Sequence, residues 1–350
     1  MKRPPLPRWM VLILVALLLT AAGIPGADSQ TGGTDQARRV VILFTHDLHS
    51  YFLPQRVAAP DGRALERGGY AKLLTSIRQN REEGRTLLVD AGDFSMGTLF
   101  HTIFLTEAAE LRLMAAMGYD AMTLGNHDFD FRPDGLARAL RIARAREKQL
   151  PAMVASNVRF SAEGKGADGL KGAFREYPVV PYHVIERGGV RIGLFGILGK
   201  DAQVDTPFAK PVTFGDPIAS SREMVEILRN REKADLIVVL SHAGTSPVKE
   251  HSEDENLARE VPGIDVIISG HTHTVLPRPI AVGKTLIVSA GCYGAYLGRL
   301  VLDFRPGNGS TAAGYELKPI VSEIPDDQVL AGRIADFKRA VDREYLSAFG

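Results

Sequence analysis

The sequence predicts an α/β fold containing a mixed β-sheet or two packed sheets. Two observations carry that prediction: short, continuously apolar runs alternate with helical patterns from Arg39 onward, and glycine-joined β-rich segments look like hairpins. A third observation bears on chemistry, because the apolar runs end abruptly in clusters of His, Asp and Asn.

In chain order the leader comes first. Lys2, Arg3 and Arg8 precede an uncharged apolar run from Trp9 to Ala22, with small residues at Ala21, Ala22, Gly23, Gly26 and Ala27. That layout predicts a secretory signal over residues 1–27, cleaved between Gly23 and Ala27, and the run is short for a bilayer span. No cysteine lies nearby to carry a lipid. The expectation is therefore a periplasmic or secreted protein with no stable membrane anchor after cleavage; an uncleaved anchor is the alternative. Residues 28–38, polar and rich in Gly, Thr and Gln, read as a disordered lead-in.

The segments 40–49, 86–93, 120–128, 235–244 and 264–273 each read as a largely apolar strand ending in polar residues, and continuous apolarity implies burial on both faces. Helical patterns occupy 68–83, 106–118 and 133–148, while Asp216 with Pro217 reads as an N-cap followed by proline at the first helical position. The segment 179–198 reads as a hairpin turning at Gly188 and Gly189. Residues 159–175, rich in Gly, Lys and Ala, look like a surface excursion. Leu330, Ile334, Phe337, Val341 and Tyr345 recur at helical spacing, giving an amphipathic helix within 326–350 after one globular domain over 39–325.

Charge excludes some partners. Of 42 Lys plus Arg, three leave with the signal, so 39 basic residues face 41 acidic ones in the mature chain. That balance, with basic residues scattered, gives no footprint for nucleic acid. The densest group, Arg138, Arg141, Arg144 and Arg146, reads as a solvated helix face. Cys292 is the only cysteine, which rules out an internal disulfide and a thiolate metal site.

The chemistry lies at the strand ends. Asp47 and His49, Asp93, Asn126 with His127, His242, and His271 with His273 each follow a predicted buried strand, where α/β folds build their sites. Taken singly, each has a bland reading: a carboxylate-capped turn at Asp47, a strand-to-helix turn at Gly125–Asp128, a satisfied core histidine at His242. Gly-His-Thr-His at 270–273 resists it, because alternation along an extended chain would put both imidazoles on one side. Together, imidazole, carboxylate and amide donors without sulfur suit divalent ions such as Mn, Zn, Co or Fe. His46 is expected to point away from Asp47 and serve packing; His183 and His251 read as surface or strand residues, and Cys292 as a small buried hydrophobe. His101 follows a loop that approaches the site, with a structural role the default.

Those stretches, VVILFTHDLHSYF and YDAMTLGNHDFDF above all, resemble the metallophosphoesterase domain of the 5′-nucleotidase family, within the calcineurin-like superfamily, over about residues 40–304. The resemblance implies two packed mixed β-sheets flanked by helices in a four-layer sandwich, with metals at one edge. It implies that Asp47, His49, Asp93 and His273 hold one divalent ion and Asp93, Asn126, His242 and His271 a second, with Asp93 bridging ions ~3.5–4 Å apart and a hydroxide between them as nucleophile. It also implies that His127, oriented by Asp130, stabilises charge on the phosphate or protonates the leaving oxygen. The family pattern at 125–130 is Gly-Asn-His-Glu-Phe-Asp; Asp128 replaces the Glu here, a change expected to be tolerated. The implied function is hydrolysis of phosphate monoesters, nucleotides or related small phosphoesters. Alternatives on the same metals are diester cleavage of cyclic nucleotides or nucleotide sugars, and hydrolysis of a sulfate ester on a thiol carrier; a non-catalytic metal-binding subunit would be expected to have a damaged His127–Asp130 pair. Family members normally continue into a second domain that contacts the nucleobase. The C-terminal helix stands where their interdomain linker lies, so a partner or lid acting through that helix is expected, or recognition without one.

Overall fold

A computed structural model describes residues 37–58, 62, 64–160 and 167–349; the expected leader and most of the lead-in fall outside them. The strands are β1 (Arg38–Thr45), β2 (Gln55–Ala58), β3 (Ala64–Arg67), β4 (Thr86–Asp90), β5 (Ala121–Met122), β6 (Ala152–Val154), β7 (Val158–Arg159), β8 (Val179–Val180), β9 (Tyr182–Arg187), β10 (Val190–Leu198), β11 (Thr213–Phe214), β12 (Leu236–His242), β13 (Val266–Ser269), β14 (Ile280–Val282), β15 (Thr285–Val288), β16 (Tyr296–Arg305) and β17 (Gly309–Pro319). They form a seven-stranded sheet in the order β17-β16-β1-β4-β5-β6-β8 and a six-stranded sheet in the order β14-β15-β13-β12-β10-β9. Both are mixed: β1 runs parallel to β4 and antiparallel to β16, and β10 runs parallel to β12 and antiparallel to β9. The lead-in ends one residue sooner than expected, since Arg38 already pairs with Phe304.

Helix α1 spans Tyr70–Asn80, α6 spans Lys200–Val204 and α8 spans Glu253–Glu260, and the apolar runs explain how helices and sheets layer. Val40, Ile42 and Phe44 of β1 pack between the two sheets with Ile192, Val238 and Leu240, whereas Val41 and Leu43 pack against helices on the outer face. In β12, Ile237 and Val239 likewise face a second helical layer. A strand buried on both faces has no polar position to spare, so polar residues are confined to its ends. The outcome is helix, sheet, sheet, helix, the four-layer sandwich expected.

Several elements differ from expectation. The helix expected at 106–118 divides into α2 (Phe104–Glu107) and α3 (Ala109–Met117), because Ala108 takes a left-handed φ of 47°. The excursion at 159–175 is partly structured: α5 (Asp168–Glu176) buries Leu170 and Ala173 beside α4 (Arg132–Arg146), and β7 pairs with β11. The hairpin between β9 and β10 turns at Gly188 and Gly189 as expected. Asp216 caps α7 (Pro217–Glu226), its carboxylate accepting from the Ala219 amide at 2.8 Å. Helix α9 (Gln328–Glu344), capped by Asp327, turns Leu330, Ile334, Phe337 and Val341 into the core of its own domain. Tyr345 ends that helix and is exposed.

Candidate metal centre

The two sheets bring the predicted donors to one shared edge. The turn after β1 carries Asp47 and His49, the turn after β4 carries Asp93, and the turn after β5 carries Asn126 and His127. His242 is the last residue of β12, and His271 and His273 follow β13. Backbone bonds lock neighbouring turns together: Asp47 N–H to the Gly92 carbonyl (2.9 Å), His49 N–H to the Asp93 carbonyl (3.0 Å), and His127 N–H to Asp93 Oδ1 (2.9 Å). Close approach needs Gly125, where a Cβ would lie 2.1 Å from Asp93 Oδ1. Asp47, His49, Asp93, His271 and His273 all have positive φ, between 48° and 72°. Such conformations are uncommon outside glycine, and their concentration here marks a site whose side-chain directions are imposed by the surrounding packing.

Two sub-clusters result. In the first, His49 Nε2 lies 3.0 Å from His273 Nε2 and 3.7 Å from Asp47 Oδ1, and His273 Nε2 lies 3.4 Å from Asp47 Oδ1. In the second, His242 Nε2 lies 3.2 Å from Asp93 Oδ2 and 3.1 Å from Asn126 Oδ1. Asp93 Oδ2 is also 3.7 Å from His49 Nε2, which places it between the two. Atoms bound to one cation at ~2.0–2.2 Å are separated from each other by roughly 3–3.5 Å, so these spacings suit the edges of coordination polyhedra.

The donor chemistry fits a cation for a second reason. His242 Nδ1–H donates to the Ala91 carbonyl at 2.9 Å, leaving the Nε2 lone pair aimed at two acceptor oxygens. Three facing lone pairs repel unless positive charge sits among them. Protons answer the same demand: burial disfavours charge on His242, yet the Asp93 and Asp47 carboxylates outweigh it and push the imidazole up to about 10. Hydrogen bonds to Asp47 and Cys292 push His273 up to about 10 as well. Burial alone would raise Asp47 and Asp93, but neighbouring imidazoles hold both carboxyls below their usual range.

His271 is placed differently from the rest of its expected set. Its ring lies 5.2 Å from that of His242, and its Nε2 faces Asp201 Oδ2 at 3.3 Å, in a trio with Asp201 and Asp205. His271 N–H donates to Asp47 Oδ2 at 2.9 Å. Sequence alone does not assign Asp201 and Asp205. Asp201 stands three residues beyond the buried strand β10, a strand-end position like those of the other donors, whereas Asp205 follows the short helix Lys200–Val204. His271 and His273 do not share a side by extended-chain alternation, since both residues are left-handed.

His127 and Asp130 pair as expected, Nδ1 to Oδ2 at 3.0 Å, and this bond chiefly raises the His127 pKa. His127 lines a cavity of ≈ 310 Å³ with His49, Asp93, Asn126, His271 and His273, and Tyr51 and Tyr293 form one side of it. His46 does not point away from Asp47: its Nδ1 lies 2.5 Å from Asp47 Oδ2, and its Nε2 accepts from the Ala290 amide. Strand alternation fails there because β1 ends at Thr45 and Asp47 is left-handed. His101 accepts from the Met96 amide and stacks on Phe131, supporting the loop instead of entering the cavity. Cys292 is half-buried beside His273 rather than buried.

Behind the turns lie carboxylates that sequence alone did not assign. Asp128 accepts from the Gly125 amide (2.8 Å) and the Ser95 hydroxyl (2.9 Å), stapling the turn beyond Asp93 to the turn that carries Asn126. The substitution at 128 therefore keeps a working clamp. Glu110 of α3 accepts from the Ser50 hydroxyl at 2.7 Å, next to His49, and burial pushes it up to about 7.

Two packed mixed sheets with carboxylates and imidazoles converging at their common edge define a class of metal-dependent hydrolases. Residues 40–275 match the family described as calcineurin-like phosphoesterase, and the chain belongs to that family. It is 32% identical over 254 residues to the trifunctional nucleotide phosphoesterase protein YfkN of Bacillus subtilis, covering 67% of this chain and 17% of that protein. It is 30% identical to the 5′-nucleotidase of Rattus norvegicus over 98% of this chain and 58% of that enzyme. The solved 5′-nucleotidase precursor from Thermus thermophilus superposes with a TM-score of 0.73 at 29% identity, covering 87% of this chain and 59% of that one. The chain thus spans little more than half the length of these nucleotidases.

Proposed function

We propose that the chain is an exported phosphatase that holds two divalent cations and cleaves phosphate monoesters, nucleotides foremost. The observation that carries this reading is His242 Nε2 turned onto Asp93 and Asn126, while Asp93 also approaches His49. Asp47, His49, Asp93 and His273 would hold one cation and Asp93, Asn126, His242 and His271 the other, with Mn, Zn, Co and Fe all compatible with the donors. Bound there, divalent cations neutralise phosphate oxygens and acidify water.

The chain's own groups do the rest. His127 faces the cavity with Nδ1 tied to Asp130, so its other nitrogen is available to donate toward the phosphate or the departing oxygen. The raised pKa keeps that proton available to higher pH. The expected leader supports export, and among the described residues no helix is long and apolar enough to cross a membrane. The test is to strip the protein with a chelator, refill it with Mn(II), Zn(II) or Co(II), and assay an aryl phosphate, its diester and a nucleotide panel. Turnover of monoesters above the diester is expected. Faster diester cleavage would transfer the reading to a phosphodiesterase, and bound metal with no turnover would leave a binding subunit.

A further inference from the structure

The substrate must leave the metal centre through a mouth that the chain itself shapes, and one side of that mouth is aromatic. Tyr293 lies edge-on to both His49 and His273, with centroids 5.6 and 5.3 Å away, and Tyr51 leans on Tyr293 at 4.2 Å. Tyr293 is held there at a cost, since a bulky residue at a φ of 61° is strained, and its amide is fixed to the Asp47 carbonyl at 2.7 Å.

Tyr51 also lines a second cavity, of ≈ 390 Å³, between the start of the β2 hairpin, residues 98–100 and the end of α9. The two cavities share more than one side chain's wall. Met96 and Gly97 border the metal-side cavity, and the next residues, Thr98, Leu99 and Phe100, border the other. The second cavity is lined chiefly by apolar groups: Leu53, Leu99, Phe100, Val341 and Leu346. Leu53 and Leu99 are about half exposed, at 48% and 51%. Its size falls within the range of small-molecule sites, roughly 300–1,000 Å³. Lys338 and Asp342 complete its lining, one cation beside one anion, so the apolar side chains set its character.

We propose that this cavity is a leaving-group subsite, taking the apolar ester group of a phosphomonoester whose phosphate lies at the metal centre. The proposal rests on the phosphatase reading above. Tyr51 is the partition over which the ester group passes, Tyr293 orients it, and Leu53, Leu99 and Leu346 remove it from water. Specificity for apolar or flat leaving groups is then supplied by this chain.

The test uses the full mature chain loaded with Mn(II), titrated calorimetrically with methylphosphonate and with n-hexylphosphonate. Hexylphosphonate is expected to bind at least about tenfold tighter, a modest fraction of what five buried methylenes can supply. Leu99→Asp should bring that ratio to within about threefold, whereas Val329→Asp, an exposed apolar site outside the cavity, should leave it intact. Equal affinities in the unmodified chain, or a preference that survives Leu99→Asp, overturns the subsite. Hydrolysis of ethyl phosphate, n-hexyl phosphate and a nucleotide separates the subsite from the reading it rests on: equal kcat/KM for the two alkyl esters, or turnover of the nucleotide alone, removes the subsite alone, and turnover of none of the three removes the phosphatase reading and the subsite with it.

Discussion

The two sheets supply the candidate metal centre unequally. From the seven-stranded sheet come Asp47, His49, Asp93 and Asn126, which include both buried carboxylates and the amide; from the six-stranded sheet come His242, His271 and His273, all imidazoles. One side supplies the negative charge, the other neutral donors that direct where a cation sits. Neither set is a site by itself. The packing of Val40, Ile42 and Phe44 against Val238 and Leu240 sets the distance between the two halves, so the sandwich interior is part of the chemistry.

That asymmetry is open to attack in graded steps. Asp93→Asn removes the carboxylate shared by both sub-clusters and is expected to abolish measurable cation binding and cut kcat/KM by roughly a thousandfold or more, read by metal analysis and steady-state kinetics. His127→Ala should keep its full complement of cations and lose ~10²–10⁴ in kcat. Equal metal loss in both variants would erase the distinction between holding the cation and acting on the ester. His273→Ala, from the imidazole-only half, should weaken binding by roughly 10–100-fold without abolishing it. If it matches Asp93→Asn, the contrast between the halves is wrong.

A smaller effect sharpens the contrast from behind. Glu110, fully buried against Ser50, has a pKa of about 7 against an ordinary 4.5. The folded chain therefore keeps a proton that the unfolded chain has released, and its contribution is complete below 4.5 and lost as pH rises through about 7. Glu110→Gln should remove a loss on the order of 3 kcal/mol across that window, so denaturant unfolding at pH 5 and pH 8 should differ less in the variant than in the unmodified chain.

The candidate donors are legible in the sequence because strands buried on both faces force polar residues to their ends, and seven of them meet at the shared edge of the sheets. The hidden remainder depends on tertiary contact. Asp128 reads as a neighbour of His127 and Asp130, and only the fold shows it bridging two turns. Glu110 sits in an ordinary helical pattern, with nothing local to say that its carboxylate is buried behind His49. The break at Ala108 carries no glycine or proline to announce it, and α5 is hidden in a Gly-rich stretch whose Leu170 joins the core beside α4. Asp201 is legible from its place just beyond β10, but a hairpin reading of residues 179–198 ends with that strand, and Asp205 reaches the site only through the short helix Lys200–Val204 that follows.

The most direct test of the central claim is anomalous diffraction from crystals of the chain loaded with Mn(II). Two manganese peaks sharing Asp93, one beside Asp47, His49 and His273 and one beside Asn126, His242 and His271, are the expected result. A single peak, or a peak held by Asp201 and Asp205 with the Asp93 carboxylate bare, would contradict it.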